Sequence, residues 1–323
     1  MPAFILSRIL QAIPVLLVVA FISFAMFAYV GDPVRMMLGQ DYTAEQRDAL
    51  IHALGLDQPF YVQYAKFIWA AVHGEFGISY RIGRPVSGLI LERLPATVEL
   101  AAAAAVFALA VGVPMGVFTG IKRNSALARA FMVFSLIGVS LPTFLIGILL
   151  ILVFAVLLGW LPSFGRGEIV QFSHWSTGYL TLSGLKALIL PAITLGMFQM
   201  TLIMRLVRAE MLEVLRSDYI KFARARGLSS RAINFGHALK NTLVPVITIV
   251  GLQIGGLVGF SIITESVFQW PGMGLLLVQS IGVADIPVMS AYLLLIALVF
   301  VLINLVVDLL YYAVDPRLRL GRR

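Results

Sequence analysis

Six long apolar runs constrain this chain more than any other feature of its sequence. They cover residues 9–30, 96–118, 131–158, 185–207, 242–263 and 288–313. A helix needs about 20 mostly apolar residues to cross the hydrocarbon core of a bilayer, and every run is long enough. Apolar residues fill 60% of the 323 positions and charged residues only 12%, against roughly 25% charged in an ordinary soluble domain. Mean hydropathy is +0.96. The expected fold is therefore all-α and integral to the membrane, with six transmembrane helices. The first run exceeds the roughly 7–15 residues of a signal-peptide core and no A-x-A site follows it, so it reads as an uncleaved first helix.

The distribution of charge sets the expected orientation. The net charge of +8 does not indicate nucleic acid, because the cations cluster between alternate runs. Arg8 precedes the first run; Lys122, Arg123 and Arg129 follow the second; Arg205, Arg208, Arg216, Lys221, Arg224, Arg226, Arg231 and Lys240 lie around the fourth-to-fifth connection; Arg317, Arg319, Arg322 and Arg323 end the chain. Residues 264–287 hold no Lys or Arg. Short loops rich in Lys and Arg stay in the cytoplasm, which puts both termini inside. There are no cysteines, so disulfides, iron–sulfur clusters and thiolate metal sites are excluded.

Three segments are expected outside. In 31–95, Gly31, Asp32 and Pro33 end the first helix, and Thr43 caps a helix to about Ala53 with Glu45 and Gln46 in its first turn. A second helix over 59–72 carries Phe60, Tyr64, Phe67 and Trp69, which suit the membrane interface, and 73–80 reads as a loop. Segment 159–184 is a second outer loop, with Pro162, Gly165, Gly167, His174 and Trp175. Segment 264–287 is a third; its Phe268, Trp270, Pro271 and Gly272 are too apolar for a free surface loop, which suggests that it dips back into protein at membrane depth. Gly112, Gly116 and Gly120, and Gly251, Gly255 and Gly259, stand four apart, the spacing that lets helix backbones approach closely; the expected use is packing within the chain. No internal repeat is evident.

The segment from Glu210 to Lys240 is the only long charged one inside. Ser217 or Asp218 can cap a short helix from Tyr219 to Arg226, and Gly227 fits its left-handed C-terminal position. Tyr219, Phe222, Ala223 and Arg226 recur at helical spacing, giving an apolar face with a basic flank. Ser229 or Ser230 caps a second short helix to about Lys240, ahead of Pro245. Such a helix either lies in the lipid interface or docks into a groove of a partner protein, and periodicity leaves both open.

Asp218, Tyr219, Ile220, Lys221, Phe222, Ala223, Arg224, Ala225, Arg226, Gly227 and Leu228, followed by the run from His237 to Pro245, resemble the coupling-loop signature of binding-protein-dependent ABC permeases. More closely the chain resembles the dipeptide/oligopeptide/nickel permease family, in its first-permease branch. The likeness runs nearly end to end: Arg8 and Pro14; Gly31, Asp32 and Pro33; Gly55, Leu56 and Asp57; residues 73–79; residues 95–100; residues 264–274; Asn304, Asp308, and Asp315, Pro316 and Arg317. Lys221 stands where the general loop motif opens with glutamate, so it cannot take that residue's role.

The resemblance implies a type I importer permease. Residues 1–95 would be the first helix plus an outer segment, 96–315 the permease core with a coupling loop over 208–241, and 316–323 a cytoplasmic tail. Asp218, Tyr219, Phe222, Ala223, Arg224, Ala225, Arg226 and Gly227 would form the ATPase-coupling site. The expected partners are a homologous second permease, two cytoplasmic ATPase subunits holding the ATP and Mg, a periplasmic or lipid-anchored solute-binding protein, a peptide substrate and membrane lipid. No cofactor or nucleic acid is expected on this chain, and no catalysis by it, since the 323 residues contain no G-x-x-x-x-G-K-[ST] phosphate loop. The expected place is a bacterial inner membrane.

Glu265 and Trp270 are candidates for the substrate path, because acidic groups at membrane depth are costly and often functional; hydrogen bonding within the outer loop is the competing role for Glu265. Glu99, Asn304 and Asp308 are expected to make polar contacts between helices. His52, His73, His174 and His237 are scattered without metal-ligand spacing, and His237 is expected to position the second cytoplasmic helix. A self-contained secondary transporter would need deep ionisable residues or inverted repeats, and an intramembrane enzyme a motif such as H-E-x-x-H or G-x-S-x-G; the sequence offers neither. Di- and oligopeptides, glutathione and nickel chelates all remain open as cargo.

Overall fold

A computed structural model describes residues 2–29, 34, 38, 42–173 and 175–314. Gly31, Asp32 and Pro33, His174, and the closing Asp315, Pro316 and Arg317 with the 316–323 tail lie outside them. The described chain is helical apart from one short hairpin: α1 (Pro2–Tyr29), α2 (Ala44–Leu54), α3 (Phe60–Val72), α4 (Val86–Ile121), α5 (Ala126–Ser140), α6 (Thr143–Leu150) running on as a π turn (Ile151–Leu157), β1 (Val170–Phe172), β2 (Trp175–Thr177), α7 (Leu182–Val214), α8 (Asp218–Ala225), a second π turn (Ala232–Ala238), α9 (Leu239–Val267), α10 (Met273–Ile281) and α11 (Ile286–Val314).

Among the described residues four helices, α1, α4, α7 and α11, are long and apolar enough to cross a bilayer alone, and two bent pairs bring the total up to six when each pair is counted as one span. One pair corrects the expectation of a continuous third span. The run breaks after Ser140, and its halves, Ala126–Ser140 and Thr143–Leu157, meet at 112°. The cause is Pro142, which disfavours helical backbone at Leu141; Leu141 is extended. The other pair is the fifth run, bent by 46° between Pro245–Gly251 and Gly255–Val267.

Helix α4 starts ten residues before the apolar run it carries, so the boundary drawn between residues 95 and 96 falls inside one continuous helix. The glycine spacing does what was expected for packing. A Cβ on Gly112, Gly116 or Gly120 would come within 2.8, 2.6 and 2.8 Å of α7 atoms, the nearest being Met200 O, Val207 Cβ and Met211 Cβ. On α9, Gly251 and Gly255 face Val307, and Phe300 with Ile303, of α11, whereas Gly259 faces open space. Methionines 197, 200, 204 and 211 of α7 form the centre of the main core.

The segment between α1 and α4 is folded against the spans where it is described. Thr43 and Gln46 make a reciprocal capping box at the start of α2. Phe60, Tyr64 and Phe67 of α3 stack on Phe21 and Phe24 of α1, and the Tyr64 hydroxyl donates to Leu17 O at 2.8 Å. Tyr61 and Trp69 stay exposed on the other side, so the aromatic residues divide between packing and surface. Arg8 of α1 pairs with Asp308 of α11 at 2.9 Å. The expected interhelical role of Asp308 has that partner; Asn304 Oδ1 is buried without one.

Candidate coupling and translocation sites

The charged 210–240 segment folds as a short helix and a sharp reversal. Helix α8 runs from Asp218 to Ala225, one residue earlier at each end than the spacing suggests. Ser217 stands at the cap position, but its hydroxyl donates back to Val214 O at 2.6 Å and caps nothing forward. Asp218, in the first turn, places a carboxylate at the positive helix end and pairs with Lys221 at 2.8 Å. Gly227 has φ +79° with nothing within 4 Å of a notional Cβ, so the position demands glycine for its backbone and not for space.

The face of α8 differs from the one read off the spacing. Ile220 and Ala223 are its buried residues, turned toward the core that includes Ile233 and Ala238. Phe222 is 65% exposed, Arg224, Ala225 and Arg226 are exposed, and the Arg226 guanidinium lies 5.9 Å from the Phe222 ring. Tyr219 is half-exposed, its hydroxyl held by Asn241 Nδ2 at 2.6 Å. Ala223 therefore belongs with Ile220 on the anchoring side, while Tyr219, Phe222 and Arg226 form the free side. Ile220, absent from the sequence-based set, is the anchor.

After Gly227, Ser229 Oγ accepts from Ala232 N at 3.3 Å, but the following helix does not stop at Lys240. Its π turn continues directly into α9, with Pro245 inside. His237 is exposed on that turn, and Ile233 and Ala238 carry the packing instead.

On the other side of the spans, residues 264–287 are not a loop. Helix α9 continues to Val267, a tight turn follows, and α10 takes up Met273–Ile281. The turn does pass into the protein: Phe268, Trp270 and Met273 are each 1% exposed. Trp270 Nε1 donates to Ala96 O at 2.8 Å. Glu265, in the last turn of α9, is fully buried. Its carboxylate accepts from Thr97 Oγ1 of α4 at 2.8 Å, from Ser261 Oγ at 3.0 Å and from Leu275 N at 3.0 Å. It thus caps the first turn of α10 from a distance, where a negative charge is favoured. A Cβ at Gly272 would collide with this carboxylate. Glu265 and Trp270 join α4, α9 and α10.

Two further carboxylates organise loops. Glu99 is buried and paired with Arg166 of the segment after the second bent pair, Nε to Oε2 at 3.0 Å. Arg166 Nη1 also donates to Ser176 Oγ at 2.9 Å, and Gly178 N to Glu99 Oε1 at 3.1 Å. Glu99 thus holds the hairpin β1–β2 and not a second helix. Burial, with the Glu99 charge second, pushes the Tyr179 phenol up, Arg166 opposing. Asp285, missed by sequence reading, accepts from the Ser79 hydroxyl and from Tyr80 N at 3.1 Å. Burial and the Asp285 charge push the Tyr80 phenol up to about 12. No group of three or more metal-ligating side chains occurs among the described residues.

Comparison with known proteins accounts for both ends of the chain. Residues 112–320 match the family model described as binding-protein-dependent transport system inner membrane component, and residues 1–101 match the N-terminal membrane component of such systems. The dipeptide transport system permease protein DppB of Alkalihalophilus pseudofirmus is 39% identical, covering 99% of this chain and 100% of its own. The di/tripeptide transport system permease protein DppB of Pseudomonas aeruginosa is 39% identical over 99% of each chain, and the Escherichia coli dipeptide transport system permease protein DppB 38% over 98% of each. Among solved structures, the inward-facing MetNI methionine ABC transporter shares the fold at TM-score 0.56 and 22% identity, over 70% of this chain and 96% of that one. With four to six candidate spans, full-length permease relatives at 38–39% identity and a matching core model, the chain belongs to the family of binding-protein-dependent transport system inner membrane components, the membrane permease subunits of ABC importers.

Proposed function

We propose that this permease carries di- and oligopeptides inward across the bacterial inner membrane, as one half of a heterodimer with a homologous second permease. Two separate cytoplasmic ATPase subunits bind the ATP and Mg, a periplasmic or lipid-anchored binding protein delivers the peptide, and this chain itself catalyses nothing. Both termini and α8 face the cytoplasm, a reading supported by the Lys and Arg bias of the inner segments.

The observation that carries the coupling role is the division of α8: Ile220 and Ala223 tie it to the membrane core while Tyr219, Phe222 and Arg226 remain presented. An amphipathic helix with an aromatic residue on its open side suits a groove of a partner protein, which supports docking over the lipid interface. Full-length likeness to dipeptide permeases supports the cargo.

The test is affinity purification of the tagged chain from its native membranes, combined with labelled dipeptide uptake in cells lacking it. Copurification of an ATPase and loss of ATP-dependent uptake are expected. Active transport by the chain without an ATPase, or uptake unchanged by its deletion, would overturn the proposal.

A further inference from the structure

The middle of the spans carries two amides that meet each other, Gln199 and Gln253. Gln199 of α7 is buried, Gln253 of α9 is exposed, and Gln199 Nε2 donates to Gln253 Oε1 at 3.5 Å. That distance is the outer edge of a hydrogen bond. Each primary amide offers two N–H donors and a carbonyl acceptor, so the single stretched contact uses only part of what the pair presents. The surroundings are apolar: Phe198, Phe260 and Ile263 are exposed on the same face, Phe260 by 72%. An amide turned to hydrocarbon has no water to satisfy it and is costly there. The amide of Gln253 therefore suits a polar partner better than lipid.

The amides sit in a cleft of about 220 Å³ lined also by Thr143, Phe198, Leu257 and Phe260. Thr143 is the first residue after the Pro142 break, so the cleft opens where the third run changes direction. The volume is below the roughly 300–1,000 Å³ of a pocket that encloses a whole ligand. It suits a contact point that a substrate passes. One amide pair complements one peptide group, which presents a single N–H and a single C=O.

Resting on the reading of this chain as a peptide permease, we propose that Gln199 and Gln253 form a contact for the substrate's peptide group on the translocation path. The passing peptide group replaces the stretched amide–amide contact with two better ones, and the aromatic rings beside it cover the flanking side chains.

The test compares uptake of alanyl-phenylalanine with its analogue methylated on the peptide nitrogen, in cells carrying the intact transporter with Gln199→Leu, Gln253→Leu or Gln253→Asn. The binding protein is the same throughout, so any change in the ratio of the two rates arises in the permease. Loss of one neutral hydrogen bond predicts a fall of about three- to tenfold for the unmodified dipeptide, with the methylated analogue little changed and the Asn variant partly restored. An equal fall for both probes, or loss of the copurifying second permease with an unchanged ratio, would show a packing role and overturn the proposal. Wild-type cells that import neither probe but do import another solute through this transporter would defeat the peptide reading itself, and the proposal with it.

Discussion

The Arg166 guanidinium lies with Nε 3.0 Å from Glu99 Oε2, and the two side chains are 5% and 3% exposed. The pair joins the hairpin β1–β2 to the outer part of α4 across 67 positions of sequence. Removing one member leaves the other charge buried without a partner, which typically costs about 3–5 kcal/mol, whereas replacing both with apolar groups of similar size is often neutral. Glu99→Leu or Arg166→Met alone should lower the melting temperature of the purified complex markedly, and the double variant should recover most of the loss. Equal melting of all four proteins would show that the pair does not hold the hairpin.

The two sides of α8 separate stability from coupling. Phe222→Ala removes an exposed ring and should leave expression and melting unchanged while ATPase stimulation and uptake fall at least tenfold. Ile220→Asp buries a charge against Ile233 and Ala238 and should abolish the folded loop, seen as protease cleavage between α7 and α9. A Phe222→Ala transporter with normal uptake would remove the free face from the coupling site.

Gly227 needs its positive φ and has room for a side chain. Left-handed backbone is tolerated by asparagine far better than by β-branched residues. Gly227→Asn should therefore retain much of the uptake, and Gly227→Val should lose it with membrane insertion intact. Equal activity of the two would mean that conformation at this position is immaterial.

Orientation is open to direct labelling, because the chain has no cysteine. Ser173 and Ser229 are both exposed. Single cysteines there should react with a membrane-impermeant maleimide from opposite sides, Ser173→Cys in intact spheroplasts and Ser229→Cys only after lysis. Reaction of both from one side would refute the six-span arrangement.

What the sequence made legible was local. Apolar length placed the spans, Thr43 with Gln46 announced the start of α2, and Gly227 announced the reversal after α8, since each depends on residues a few positions apart. What escaped depended on proximity in space. Glu265 meets Thr97 across 168 positions and Ser79 meets Asp285 across 206, and no periodicity relates them. The division of α8 escaped for another reason. Over eight residues Tyr219, Ile220, Phe222 and Ala223 share one broad apolar arc, and only the neighbouring Ile233 and Ala238 decide which edge turns inward. The 112° break at Pro142 was visible as a proline, but hydrophobicity alone ran straight through it.

The glycines of α4 bring its backbone against that of α7 at Gly112, Gly116 and Gly120, and Gly196 of α7 returns the contact at Ala104 O. Helices in such backbone contact have no side-chain cushion between them to yield, so they translate and tilt as one rigid plank. The end of α7 leads within four residues into α8. A push delivered to α8 therefore moves α4 and α7 together, and relative motion is left to the two places where the spans are already broken, the bend at Pro142 and the bend between Gly251 and Gly255.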